Sequence, residues 1–112
     1  MDERKLTELE YMLLHFLAEA GQTHPYHLGR QVEDRGGRGV VSLGALYKAL
    51  HRLEGVGCVR SEWEDVDPRT AKRPKRRLYT ITGVGEGALT RTRDEKAALY
   101  GSPLLGDATA WV

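Results

Sequence analysis

The chain has 112 residues, a formal net charge of +1 and a single cysteine, Cys58. This length accommodates one domain with a modest core, which argues against an enzyme with a separate substrate domain, and a single cysteine excludes an intramolecular disulfide. Because no apolar run reaches the roughly 20 residues of a membrane-spanning helix and the N-terminus does not lead into a signal peptide, we expect a cytoplasmic protein with no membrane partner.

The first predicted element is an amphipathic helix. Its apolar side chains recur at helical spacing and should pack on the later helices. They are Leu6, Leu9, Met12, Leu13, Phe16 and Leu17. Thr7 and Glu10 have the spacing of a capping box, in which each side chain binds the backbone N–H of the other residue. A break at residues 21–23 should end this helix.

A second, short helix is predicted to begin at Pro25, since proline suits the first position of a helix. Leu28 and Val32 should face inward, and the helix should end near residues 35–37. The glycine-rich segment that follows lacks the Lys-Ser/Thr continuation of a phosphate-binding loop. It therefore predicts a turn between two helices.

The third predicted helix has one apolar and one polar face. Ser42 is its predicted N-cap, and Gly57 can take the left-handed conformation that ends a helix. The apolar stripe consists of Leu43, Leu46, Leu50 and Leu53, and the other side carries Gly44, Lys48, His51 and Arg52, with Tyr47 at the edge. Small residues allow close approach and basic ones reach phosphates or base edges, so this face suits a reader of the DNA major groove. The alternative is a surface helix with solvated charges.

Two strands joined by a basic loop should follow. Residues 58–64 alternate as in a half-buried strand, and residues 77–81 should pair with them as a hairpin after a turn at residues 65–69. The loop between the turn and the second strand contains no acid, and its cations are Arg69, Lys72, Arg73, Lys75, Arg76 and Arg77. Pro74 should keep its tip extended. Because this loop lies beside the third helix, we interpret it as a wing that straddles a phosphate backbone. The alternative is a solvated or targeting segment.

These motifs resemble the PadR family of bacterial transcription regulators. The third helix reads Gly44-Ala45-Leu46-Tyr47-x-x-Leu50-x-x-Leu53-Glu54-x-x-Gly57, and the hairpin contains Ser61-x-Trp63 and Arg73-Pro74-x-Arg76-Arg77-x-Tyr79-x-Ile81-Thr82-x-x-Gly85. The resemblance implies a mainly α fold with a β-hairpin wing. It places a winged helix-turn-helix domain in residues 1–85, a C-terminal dimerisation helix in residues 86–101 and a tail of uncertain order in residues 102–112.

The resemblance also implies a mode of action. The third helix would enter the major groove and the wing tip would touch the minor groove or the backbone, with a homodimer on a palindromic operator. The predicted DNA contacts are Ser42, Gly44, Ala45, Tyr47, Lys48, His51, Arg52, Arg73, Lys75 and Arg76. Two residues depart from the family's pattern: Ala45 replaces a common hydroxyl, and Lys72 replaces a common glycine at the wing turn. In this family a flat aromatic effector bound at the dimer interface is one known mode, and Trp63 or Trp111 would line such a site. The alternative for Trp63 is a structural tryptophan on the wing strand.

We therefore predict that the protein is a sequence-specific transcriptional regulator, and that it is a repressor in preference to an activator. The alternative is a winged-helix module for protein–protein contacts, for which the cluster of cations has no evident use unless the partner is acidic. An enzyme or a metal protein is disfavoured, because the histidines form no ligand constellation. We expect no cofactor.

Four finer predictions concern single residues. Tyr26 is assigned to the core in preference to a DNA-backbone contact, and Cys58 is assigned to packing in preference to redox sensing. Glu62 and Glu64, with Asp65 and Asp67 adjacent, are interpreted as charges that balance the wing, keeping it extended or limiting non-specific affinity for DNA, in preference to a pair of catalytic carboxylates. The glycines at positions 83, 85 and 87 weaken the start of the last helix, so we expect it to begin at about Glu86.

Overall fold

The computed structural model describes residues 5–37 and 39–100. Five helices and a small sheet follow one another along the chain. They are α1 (Glu8–Ala20), β1 (Gln22–Thr23), α2 (Pro25–Asp34), α3 (Leu43–Gly55), β2 (Val59–Trp63), α4 (Pro68–Ala71), β3 (Arg77–Ile81) and α5 (Gly83–Tyr100). The mainly α fold with a β-hairpin wing is confirmed. The predicted tail, with Trp111, lies outside the described residues.

The ends of the first three helices follow their capping residues. The Thr7 hydroxyl accepts from the Glu10 N–H at 3.1 Å, and the Glu10 carboxylate accepts from the Thr7 N–H at 2.9 Å, so the capping box is confirmed. Pro25 is the first residue of α2, as predicted. Ser42 caps α3 by accepting from the Ala45 N–H at 3.1 Å. Gly57 follows α3 with a φ of 82°, which favours glycine and confirms its predicted part in ending that helix.

The sheet has three antiparallel strands in the order β1-β3-β2. The hairpin of β2 and β3 is confirmed, with Val59 opposite Ile81 and Trp63 opposite Arg77. The short strand β1 was not predicted, because a two-residue strand has no alternation to detect. The side-chain amide of Gln22, in β1, donates a hydrogen bond to the Glu62 carboxylate at 3.0 Å. This bond connects the segment after α1 to β2, the far strand of the hairpin. The sheet therefore fixes the wing relative to α1.

One core lies between α1, α2, α3, the hairpin and the start of α5. Its fully enclosed side chains are Leu13, Leu14, Leu17, Leu28, Val32, Leu46, Leu50 and Leu53. Two apolar assignments were wrong: Leu43 is 58% exposed, and Tyr26 is 63% exposed. Leu43 opens the first turn of α3, outside the packed part of the stripe. On α2 the inward positions are taken by Pro25, Leu28 and Val32, which leaves Tyr26 on the outer side.

The last helix begins at Gly83, three residues before the predicted start. Thr82 caps it by accepting from the Gly85 N–H at 3.1 Å and donates its own hydroxyl proton to the Gly57 carbonyl. A Cβ at Gly85 would lie 2.1 Å from the Cys58 carbonyl oxygen, so the missing side chain allows α5 to cross the start of the hairpin closely. The glycine that was interpreted as a weakness is therefore a packing requirement.

The described part of the chain contains no helix that is long and apolar enough to cross a membrane.

Candidate nucleic-acid interface

The outer face of α3 carries most of the helix residues that were predicted to contact DNA. Ser42, Gly44, Ala45, Lys48 and His51 are exposed. A Cβ at Gly44 would meet nothing within 4 Å, so the first turn is open to close approach. Tyr47 is 45% exposed at the side of the helix that faces the wing.

Arg52, also predicted to contact DNA, is held by the N-terminal helix. Its Nε lies 2.7 Å from Oε2 of Glu10, and its Nη2 donates to Oε1 at 2.9 Å. Glu10 is 3% exposed, and a buried carboxylate requires a partner of this kind. The structure thus assigns Arg52 to fastening α3 onto the capping box of α1, a role that the wheel of α3 alone could not reveal.

The loop of the hairpin contains a short helix instead of the simple turn that was predicted. Asp67 caps α4 by accepting from the Arg69 N–H at 2.9 Å. This gives Asp67 a structural role beside the predicted charge balance. Lys72 ends the helix with φ 60° and ψ 35°, the left-handed conformation. The lysine therefore stands where backbone geometry favours the glycine expected from the family pattern.

Glu64 organises the wing from the end of β2. Its two oxygens accept from Arg73 Nη1 at 2.7 Å and Nη2 at 3.0 Å, and Oε1 also accepts from the Arg76 N–H at 3.2 Å. The Arg73 guanidinium, followed by the Arg76 amide, lowers the pKa of Glu64 to about 2. Arg73, predicted to contact DNA, is thus engaged in a bidentate pair and shapes the wing from within. We call this arrangement the Glu64–Arg73 clasp.

The remaining wing cations divide by their surroundings. Arg77 donates to the Ser61 hydroxyl at 3.0 Å, and its guanidinium lies 5.0 Å from the centre of the Trp63 ring. Within residues 5–37 and 39–100, no carboxylate pairs with Lys75 or with the Arg76 side chain. These two side chains, together with the exposed Lys72, are therefore available to an external anion.

A groove of about 560 Å³ separates α3 and α2 from the wing. Tyr26, Tyr47 and Trp63 supply its aromatic walls, while Lys75 and Arg76 supply charge. Trp63 is 62% exposed, so its ring lies open at the end of β2. The groove brings Tyr47 together with the predicted wing residues, whereas Lys48 and His51 lie outside it on the outer face of α3.

Other chemistry finds no support at this site. No group of three or more His, Cys, Asp and Glu side chains could hold a metal ion in the part of the chain that the structure describes. Cys58 is 4% exposed, and burial raises the pKa of its thiol, which opposes thiolate chemistry. The prediction that it packs as a small apolar residue is confirmed.

Comparison with known proteins is consistent with this geometry. The model of the transcriptional regulator PadR-like family matches residues 13–91. Transcriptional regulator Rv3488 from Mycobacterium tuberculosis is 37% identical over 93 residues, which are 83% of this chain and 79% of that protein.

Two solved structures share the fold. A transcriptional regulator from Clostridium thermocellum superposes with a TM-score of 0.69 at 22% identity, over 81% of this chain and 82% of that one. Bacillus subtilis PadR, solved in complex with operator DNA, superposes with a TM-score of 0.64 at 18% identity, over 77% of this chain and 46% of that one. At these identities the superpositions establish the winged-helix architecture.

Proposed function

Because this chain belongs to the transcriptional regulator PadR-like family, we propose that it binds a palindromic operator as a homodimer and represses transcription from it. Membership of the family makes it a transcriptional regulator and not an enzyme. The main support for the DNA-binding part is the exposed polar face of α3 beside a wing on which, within the described structure, the side chains of Lys75 and Arg76 form no ion pair with a carboxylate. Phosphates would provide most of the affinity and base edges on α3 the specificity.

A palindromic operator has two equivalent half-sites, so its recognition requires two copies of the DNA-binding face of α3. A twofold axis that relates two winged helices would place the two α3 helices about 34 Å apart, one turn of DNA. The far end of α5 supports such a pairing, because Leu99 is 72% and Tyr100 65% exposed. A second chain that covers these side chains would remove apolar surface from water.

Selection from a random pool of duplex DNA tests the proposal. The purified protein is incubated with the pool at low and at near-physiological salt, and the bound sequences are read. We expect an enriched palindrome at both salts, with Lys48→Ala and His51→Ala variants selecting different bases. Binding without enrichment, lost at the higher salt, would show only attraction to phosphates. An absence of binding at either salt would favour the protein-docking function.

Repression is tested by placing the enriched palindrome across a promoter. Transcription with purified RNA polymerase should fall as the protein is added and should recover when free palindrome is supplied as competitor. A promoter with a scrambled palindrome is the control. Transcription that rises with the protein would make it an activator and would refute the repressor part of the proposal.

A flat aromatic effector is the second ligand that we propose. The support for it is the exposed ring of Trp63, which Arg77 covers on one side. Fluorescence of a Trp111→Phe variant reports Trp63 alone, so benzoate and naphthoate are titrated against that variant with and without operator DNA. We expect each compound to quench the fluorescence of Trp63 saturably and to release the protein from the operator DNA. Unchanged emission and retained DNA across the titration would contradict an aromatic anion at Trp63.

A further inference from the structure

The outer side of α2 carries polar groups that neither α3 nor the wing tip accounts for. Tyr26, which the sequence assigned to the core, is 63% exposed. Its hydroxyl oxygen accepts from Arg30 Nη1 at 3.4 Å, one helical turn later. A hydroxyl has one proton to donate in addition to its acceptor sites. Because Arg30 occupies the oxygen, the hydroxyl proton of Tyr26 is left for an outside acceptor.

These groups face the base of the wing across a second groove, of about 450 Å³. Tyr26 and Arg30 line it from α2, and Arg76 lines it from the wing. Tyr26 and Arg76 also line the first groove, together with Tyr47 of α3. The two grooves therefore form one continuous surface that leads from α2, past the base of the wing, to the helix that carries the DNA-reading face.

The donors on this surface outnumber its acceptors. His24 caps α2 through Nδ1, which accepts from the His27 N–H at 3.3 Å, so its remaining proton is on Nε2. Burial, followed by the charge of Arg76, lowers the pKa of His24, so the ring is a neutral donor at neutral pH. The carboxylate on the groove is Asp34, one turn beyond Arg30. Arg35, also on the groove, is already paired with Glu19 at 2.6 Å.

This arrangement has the size and charge for a short length of phosphodiester. Arg30 and Arg76 supply two cations, and the hydroxyl of Tyr26, beside Arg30, supplies a directed donor. Asp34 would repel an anion that extended further along α2. The two cations therefore suit contact with one or two phosphates at this end of α2.

We propose that Tyr26, Arg30 and Arg76 form a phosphate-binding shelf that holds the DNA backbone beside the major groove entered by α3. This inference rests on the proposed DNA-binding function and adds a third contact region to α3 and the wing tip. Helix α2, whose inner side packs in the core, would then also set the register of the duplex. Phosphate contacts position a protein on DNA without reading its sequence.

Quantitative DNA binding tests the shelf. Dissociation constants for the selected duplex are measured across a series of salt concentrations for the wild type, Tyr26→Phe and Arg30→Gln. Arg30→Gln should weaken binding roughly tenfold and reduce the magnitude of the log–log salt slope by about 0.9. Tyr26→Phe should weaken it roughly three- to tenfold and leave the slope unchanged, because no charge is removed. Arg91→Gln, a change at an exposed cation on α5, is the matched control and should change neither quantity.

The position of the phosphate is tested with modified DNA. Each backbone phosphate of the duplex is replaced in turn by a neutral methylphosphonate, and binding of the wild type and Arg30→Gln is compared. A methylphosphonate at one or two positions per half-site should weaken DNA binding by the wild type. The same replacements should cause no further loss of affinity in Arg30→Gln. Inorganic phosphate at the same ionic strength is the competitor that distinguishes a free anion from duplex backbone, and it should displace no DNA.

The outcomes separate the shelf from the proposed function. A wild type that binds the duplex while Arg30→Gln and Tyr26→Phe keep its affinity and salt slope would refute the shelf and leave the function intact. A wild type that binds no duplex would refute both. Both substituted side chains are exposed, so unchanged circular dichroism and thermal unfolding are expected for the variants and exclude misfolding as the cause of lost binding.

Discussion

Single residues in this fold are constrained most tightly where two backbones approach each other. At Gly85 the absent side chain allows α5 to pass the Cys58 carbonyl, since a Cβ there would lie 2.1 Å from that oxygen. Gly87, two residues later, has its nearest such neighbour at 3.5 Å, the end of the Arg91 side chain. The same residue type therefore has opposite significance at two positions on one helix.

A pair of alanine substitutions tests this contrast. Gly85→Ala should lower the free energy of unfolding by about 2–3 kcal/mol, because overlap with a backbone oxygen outweighs the gain of up to ~1 kcal/mol in helix propensity. Gly87→Ala should instead raise it by about 0.5–1 kcal/mol. Urea unfolding of both variants measures the difference. Equal effects in the same direction would show that α5 can shift away from the hairpin.

The Glu64–Arg73 clasp makes stability depend on pH. The pKa of Glu64 is lowered to about 2 in the folded protein from an ordinary 4.5. A depressed folded-state pKa adds stability that is present above the unfolded value and is lost as the pH falls toward the folded value. Wild-type stability should therefore decrease between about pH 4.5 and pH 2 more steeply than that of Glu64→Gln, as measured by thermal unfolding in a pH series. Parallel curves would mean that the carboxylate is not held by Arg73.

At the scale of elements, the periodic parts of the chain were predictable and the single-residue adjustments were not. Caps, helix wheels and the hairpin depend on spacings of two to four residues, so α1 to α3, β2 and β3 follow from local patterns. The strand β1 and the clasp between Glu64 and Arg73 depend on pairings between distant segments. The sequence supplies their members but not their proximity.

The same distinction explains the outcome for the candidate site. The exposed face of α3 follows from its wheel, and Lys48 and His51 lie on it as the pattern indicates. Arg52 belongs to the same wheel but meets Glu10, 42 residues earlier in the chain. The Thr7–Glu10 capping box was the available signal, because it places that carboxylate at the buried start of α1.

The wing is the element whose charge is expected to determine the salt dependence of DNA binding. Lys75→Ala combined with Arg76→Ala removes two cations that have no carboxylate partner within the described residues, so the log–log salt slope should fall by roughly two units for all duplex sequences. Arg91→Ala combined with Arg93→Ala removes the same charge from exposed positions on α5 and should leave the slope unchanged. Binding isotherms at several salt concentrations measure both. A preserved slope in the wing variant would place the wing away from the phosphates.

For the whole molecule, α5 has two functions along its length. Its first turns complete the core through Ala88 and Leu89, while its far end exposes Leu99 and Tyr100. Lys96 fastens the middle to α1, with Nζ 2.9 Å from Glu8 and 4.8 Å from the centre of the Tyr11 ring. The helix therefore contacts its own chain as far as Lys96, and the residues beyond it expose apolar side chains.

That geometry leads to a prediction about assembly. If the end of α5 is covered in a homodimer, Leu99→Glu should place a charge in the interface and shift the protein from twice its 12.5 kDa chain mass toward the monomer in sedimentation equilibrium. Thr90→Glu adds the same charge to an exposed position in the middle of α5 and should remain dimeric.

DNA binding should follow the change in assembly, because only a dimer presents two α3 helices to a palindrome. Leu99→Glu should lose affinity for the full palindrome while it binds an isolated half-site as the wild type does. A Leu99→Glu protein that remains dimeric would show that the two copies meet elsewhere. A monomeric variant that retains full affinity would instead show that operator binding needs no pairing through α5, and the two results together distinguish the position of the interface from its role.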